Sequence, residues 1–144
     1  MVNEDIDKDQ TMPNKTNTYN DKRKSDLQDL TQYISLHLSE PLDLTRLSSH
    51  CGLSVFQINR LFKQFVYQTP MQYIWRKRVL YGRRLIQSNP RIPLGDLASS
   101  LGFRHHSHFS RLFKSQLGMT PAKYSQKIRR LNTKQVNIVQ EHPI

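Results

Sequence analysis

The segment GLSVFQINRLFKQFVYQTPMQY (Gly52–Tyr73) recurs further along the chain as GFRHHSHFSRLFKSQLGMTPAKY (Gly102–Tyr124). Arg60-Leu61-Phe62-Lys63 aligns with Arg111-Leu112-Phe113-Lys114, Thr69-Pro70 with Thr120-Pro121, and Tyr73 with Tyr124. Upstream, Leu47 and Gly52 align with Leu97 and Gly102, and the second copy carries one extra residue after its glycine. A match of this extent makes the chain two copies of one small module, and a repeated unit governs every later assignment.

Each module reads as helix, turn, helix. In the first, a helix from Leu44 to about His50 stops at Cys51-Gly52, because glycine takes the left-handed conformation that ends helices. Ser54, with Gln57 three residues on, forms a capping box for the next helix. That helix sets Val55, Ile58, Leu61, Phe62 and Phe65 on one stripe, at spacings of three and four. Phe56, Asn59, Arg60 and Lys63 form the opposite stripe. The second copy places Phe109, Leu112, Phe113 and Leu117 inward, and Ser107, His108, Arg111 and Lys114 outward. A helix with one dry face and one basic, hydrogen-bonding face can pack on a partner and lay its other side in the ~12 Å major groove.

Thr69-Pro70 and Thr120-Pro121 each join a cap to a first-turn proline, so a helix starts at both. The helix after Pro70 runs from Met71 to about Gln87, where Asn89-Pro90 stops it. At ~1.5 Å per residue it spans about 25 Å. Adding the radii of the two modules puts the recognition helices near one duplex turn apart, roughly 34 Å. Trp75, Tyr73 and Ile74 read as its core. Ser25 with Gln28 is a further capping box, opening an amphipathic helix that carries Leu27, Leu30, Ile34 and Leu38.

The charge supports the same partner. The chain has 144 residues with 22 Lys+Arg against 11 Asp+Glu, a formal net of +11. Residues 1–24 balance to zero, as do 132–144, whereas Leu44 to Leu131 holds sixteen bases and one acid, Asp96. Solubility needs charge but not charge of one sign, so a polyanionic partner is expected. Residues 1–24 lack apolar periodicity and read as a disordered polar arm, dispensable for binding. Residues 132–144 read as a short tail. The ordered domain is 25–131: a first subdomain at 25–69, the linker helix at 70–88 and a second subdomain at 89–131.

Other classes fall away. The length allows one ordinary domain or two small ones, and no apolar run reaches the ~18 residues of a membrane span. MVNEDIDKDQ is neither a secretory signal nor a transit peptide. A lone cysteine, Cys51, permits no internal disulfide and suits a reducing cytosol. The basic core has one carboxylate after residue 43, too few for paired acid–base work, and no phosphate loop or nucleophile elbow. No enzyme is expected. His105, His106 and His108 suggest zinc, but structural sites need four ligands and Cys51 lies in the other module. No metal, cofactor or small-molecule ligand is expected. Arg76, Lys77, Arg83 and Arg84 recur at a seven-residue step on the linker helix and suit central phosphates or a polymerase contact, although a solvated face is the commonest reading of such runs.

Leu97-Ala98-x-x-Leu101-Gly102-Phe103, Phe109-Ser110-Arg111-x-Phe113-Lys114 and Gly118-x-Thr120-Pro121-x-x-Tyr124 resemble the DNA-binding domain of AraC/XylS-type transcription regulators. The similarity runs from about Leu27 to Gln126. It implies an all-α fold of about seven helices, with two helix-turn-helix subdomains joined by a linker helix. It also implies sequence-specific binding to double-stranded promoter DNA, usually to activate transcription through RNA polymerase, in the bacterial cytoplasm at the nucleoid. The short arm leaves no room for a sensor domain, as in the stand-alone MarA/SoxS/Rob-like type, whose members act as monomers. Carried over by position, bases would be contacted by Phe56, Asn59 and Arg60 and by Ser107, His108 and Arg111. Lys63, Lys114, Arg83, Arg84 and Arg104 would hold the backbone. Three departures stand out. His105 occupies a helix-cap position that is often acidic or hydroxylic, Ser125 replaces a frequent Arg, and Gly82 replaces a usual Ala. Mid-helix glycine costs ~1 kcal/mol relative to alanine, which predicts a softened linker. The same basic surface is also open to two other readings, a non-specific nucleic-acid binder and a module that holds polymerase or another regulator.

Overall fold

The computed structural model describes residues 15–141, with side chains through Ile138, and these form seven α-helices. In chain order they are α1 (Lys15–Leu36), α2 (Leu44–Cys51), α3 (Val55–Val66), α4 (Pro70–Ser88), α5 (Leu94–Ser100), α6 (His106–Leu117) and α7 (Pro121–Glu141). The all-α architecture is the expected one.

The local chemistry of the caps explains the boundaries. Asp43 accepts the Arg46 N–H at 2.7 Å to start α2, and Gly52, at φ 72°, ends it. Ser54 and Gln57 exchange the two bonds of a capping box at 3.1 and 2.9 Å. Thr69 and Gln72 do the same for α4 at 3.1 and 3.0 Å. Gly118 ends α6 at φ 82°, and its counterpart in the first copy is Tyr67, left-handed at φ 59°. A side chain in that conformation costs about 1–2 kcal/mol.

Two cores form, and α4 enters both. Leu30 and Ile34 of α1, Leu42 and Leu47, Ile58, Leu61 and Phe62 of α3, and Ile74 of α4 enclose the first. Val79 and Ile86 of α4 meet Leu97, Ala98, Leu101, Phe103, Phe109 and Phe113 in the second. Each of these Val, Leu, Ile and Phe side chains contributes about 1.5–3 kcal/mol by leaving water. The buried ridge of α4 is Ile74, Arg78, Gly82 and Ile86, a strict step of four. Gly82 is therefore no soft point. A Cβ there would lie 2.9 Å from Leu101 Cδ1 and 3.2 Å from two ring atoms of Phe109. Glycine lets α6 approach the linker helix.

The ends differ from expectation. α1 starts at Lys15, so residues 15–24 of the expected arm are helical and Ser25 and Gln28 sit inside the helix. No glycine or proline follows Pro13 there, and Arg23 donates to Tyr19 Oη one turn away at 3.3 Å. The helix stops at Leu36, leaving Leu38 in the following turn, where it still packs on the first core. α7 continues to Glu141, because no breaker lies between Pro121 and Pro143, so residues 132–141 of the expected tail are helical. The rest of the expected arm and tail, 1–14 and 142–144, lies outside the described residues. Val55, expected inward, is 39% exposed on the first turn of α3. Phe65, Leu112 and Leu117 are half-buried.

Candidate nucleic-acid interface

On α3 the outward stripe is a single surface. Phe56 is 68% exposed, an unusual position for a large apolar ring. The Arg60 guanidinium lies 5.6 Å from its centroid, so each side chain orders the other. Asn59 donates to the Val55 carbonyl at 3.0 Å. That bond uses one amide hydrogen and leaves an N–H and the amide oxygen, the pair that a base edge requires. Phe56, Asn59, Arg60 and Lys63 line one shallow depression with Gln64 and Thr69.

The matching stripe on α6 is less uniform. Ser107, Arg111 and Lys114 are exposed. Arg111 Nε donates to the Ser107 carbonyl at 3.4 Å, leaving its two terminal amino groups unengaged by that bond. His108 is half-buried, with its ring edge-on to Trp75 at 5.0 Å and Phe103 at 5.2 Å. It lines a groove with Gln72 and Arg76 of α4 and Gln116 of α6. His105 makes no side-chain bond to the first turn of α6, in keeping with the expected loss of a cap. Among the other basic residues, Arg84 and Arg104 are exposed, whereas Arg83 is half-buried and its Nε has no partner.

Sequence reading missed Arg78, which is 3% exposed. From the middle of α4 it donates to the carbonyls of Leu38 at 3.1 Å and Glu40 at 2.7 Å, and its guanidinium stacks 4.8 Å from the Trp75 ring centroid. Gly102 of the second module presses against the same group, with a Cβ there only 2.9 Å from Nη1. Burial pushes the guanidinium pKa down. Arg46 grips the same loop from α2, donating to Glu40 Oε2 at 2.5 Å, Tyr33 Oη at 2.8 Å and the Pro41 carbonyl at 2.7 Å. The Arg46 bond, and then that of His37 Nδ1 to the same Glu40 oxygen at 2.6 Å, hold the Glu40 carboxyl below its usual range. Arg78 thus ties the α1–α2 loop to the linker helix and to the turn before α6. The one legible signal was its four-residue step from Ile74, which puts it on the buried ridge rather than with Arg76 and Lys77.

Among the described residues, no group of three His, Cys, Asp or Glu could hold a metal, and no helix is long and apolar enough to cross a membrane.

Residues 47–127 match a family model described as a helix-turn-helix domain. The chain is 30% identical over 102 residues to the regulatory protein SoxS of Escherichia coli strain K12, a match covering 71% of this chain and 94% of SoxS. Its fold is similar to a transcriptional regulator from Chromobacterium violaceum described as an AraC-type DNA-binding-domain protein. The TM-score is 0.69 at 23% identity, over 75% of this chain and 96% of that one. The DNA-binding domain of AdpA, a global transcriptional factor solved in complex with a target DNA, matches with TM-score 0.67 at 27% identity, over 72% and 93%. With its two helix-turn-helix units on one linker helix, the chain belongs to the AraC-type helix-turn-helix family of DNA-binding transcription regulators.

Proposed function

We propose that the protein reads an asymmetric promoter site as a monomer, with α3 and α6 in successive major-groove segments of one DNA face. The observation that carries this reading is the pair of outward basic stripes, Phe56–Asn59–Arg60–Lys63 and Ser107–His108–Arg111–Lys114, both held by α4: α3 leads into its first turn, and α6 packs across it at Trp75 and Gly82. Arg60 and Arg111 offer forked donors to guanine, Asn59 an amide to adenine and Phe56 an apolar face to a thymine methyl. Lys63, Lys114, Arg84 and Arg104 meet phosphates, and Arg83 lies beside them. The complex of AdpA with a target DNA supports DNA as the partner. The sign we propose is activation through RNA polymerase, in the cytoplasm at the nucleoid, with no catalytic step of its own.

The test compares Arg60→Ala with the parent protein on promoter and scrambled duplexes at fixed salt. The expected loss is ~1–3 kcal/mol on the promoter, with relaxed preference at one or two bases. Equal weakening on both duplexes would return Arg60 to the phosphates and favour non-specific binding. Run-off transcription on the bound promoter reads the sign.

A further inference from the structure

We propose that the first turns of α1 extend the DNA interface of the first module. Lys22 and Arg23, beside Arg60 of α3, hold backbone phosphates flanking the bases that α3 reads. This rests on the reading that α3 enters the major groove.

Tyr19, Lys22, Arg23 and Asp26 of α1 line one depression with Gln57 and Arg60 of α3. Three cations therefore share a small surface with a single carboxylate. Among the described residues none of them forms an ion pair. Asp26 in the depression and Asp21, adjacent to Lys22, make no ion pair with these cations, and Asp29, one turn further along α1, is engaged with His50 at 3.3 Å. Clustered like charges repel in the free protein, and a polyanion relieves that repulsion.

Arg23 is also ordered. Arg23 lies 5.5 Å from the Tyr19 ring centroid and bonds its hydroxyl, which fixes a planar fork of the kind that suits phosphate. Gln57 spends its amide oxygen on the Ser54 N–H and keeps its NH2 as a donor. The depression abuts the Arg60 side of the recognition stripe, so DNA seated on α3 brings its backbone past it.

The experiment measures affinity against salt for the parent, Lys22→Gln/Arg23→Gln and Arg60→Ala, each with a hydroxyl-radical footprint. Glutamine keeps the helix propensity, and circular dichroism verifies folding. Losing two phosphate contacts should lower the slope of log K against log salt by about 1.8, at ~0.9 per contact. The footprint should shorten at the end bound by the first module, with base preference unchanged. An unchanged slope and footprint overturn the proposal. Residues 1–14, with Glu4, Asp5, Asp7 and Asp9, supply a rival occupant. If deleting them tightens the parent, while the glutamine pair leaves the slope of the shortened chain unchanged, the patch holds the chain's own carboxylates and the proposal fails. Should Arg60→Ala leave base preference intact, the reading of α3 fails instead, whatever Lys22 and Arg23 do.

Discussion

Replacing Gly82 by alanine sets two effects of opposite sign against each other. In an exposed helix interior the change stabilises by ~1 kcal/mol, because glycine sacrifices more backbone entropy on folding. In α4 the added methyl would sit 2.9 Å from Leu101 Cδ1 and 3.2 Å from Phe109 Cε2 and Cζ, where carbon atoms prefer about 3.5–4.0 Å. Neither neighbour can swing into solvent, as Leu101 is 1% exposed and Phe109 is fully buried. Overpacking a filled core costs typically ~1–3 kcal/mol, so the net is a destabilisation of about 1 kcal/mol. Urea unfolding followed by circular dichroism measures it directly, and the melting temperature should drop by roughly 3–5 °C. Leu101→Ala removes the nearest atom, so on that background Gly82→Ala should become neutral or stabilising, a coupling that a double-mutant cycle reads. A parent background in which Gly82→Ala adds about 1 kcal/mol of stability would refute the packing account and restore the soft-linker reading.

Arg78→Ala should cost about 3 kcal/mol, from two charge-assisted hydrogen bonds and a buried stem, offset by relief of the buried charge. Calorimetry should also find the unfolding less cooperative, since the loop of the first subdomain loses its tie to α4; a loss under about 0.5 kcal/mol with unchanged cooperativity would contradict the clamp. Tyr67→Gly should stabilise by about 0.5–1 kcal/mol, because the residue is left-handed and 87% exposed and so gives up little burial. Denaturant midpoints check this, and a destabilised variant would mean that Tyr67 makes contacts worth more than its strain.

Much of the fold was legible because its determinants are local. The Ser54–Gln57 box, the left-handed stop at Gly52 and the Thr-Pro starts of α4 and α7 act within a few residues, and the structure contains each of them. The apolar stripes likewise follow from the helical period, and Ile58, Leu61, Phe62, Phe109 and Phe113 are buried as that period requires. The ends of α1 and α7 were not legible, since neither end is set by a strong breaker in the described residues. His108 shows the limit on the site: its outward register was right, but Trp75 and Phe103 take one side of its ring.

By itself the sequence determined that two copies of one helix-turn-helix unit are strung on a basic helix, each with a dry and a polar face. That much depends on residues three or four apart. The tertiary structure decided which members of the basic run remain available to DNA. Arg78 is taken into the junction by carbonyls thirty-eight and forty residues away in sequence. Gly82 becomes a contact site for α6, and Lys22 and Arg23 come to stand beside Arg60. These facts depend on where helices cross, and crossing is set by the packing of whole faces, which no local spacing encodes.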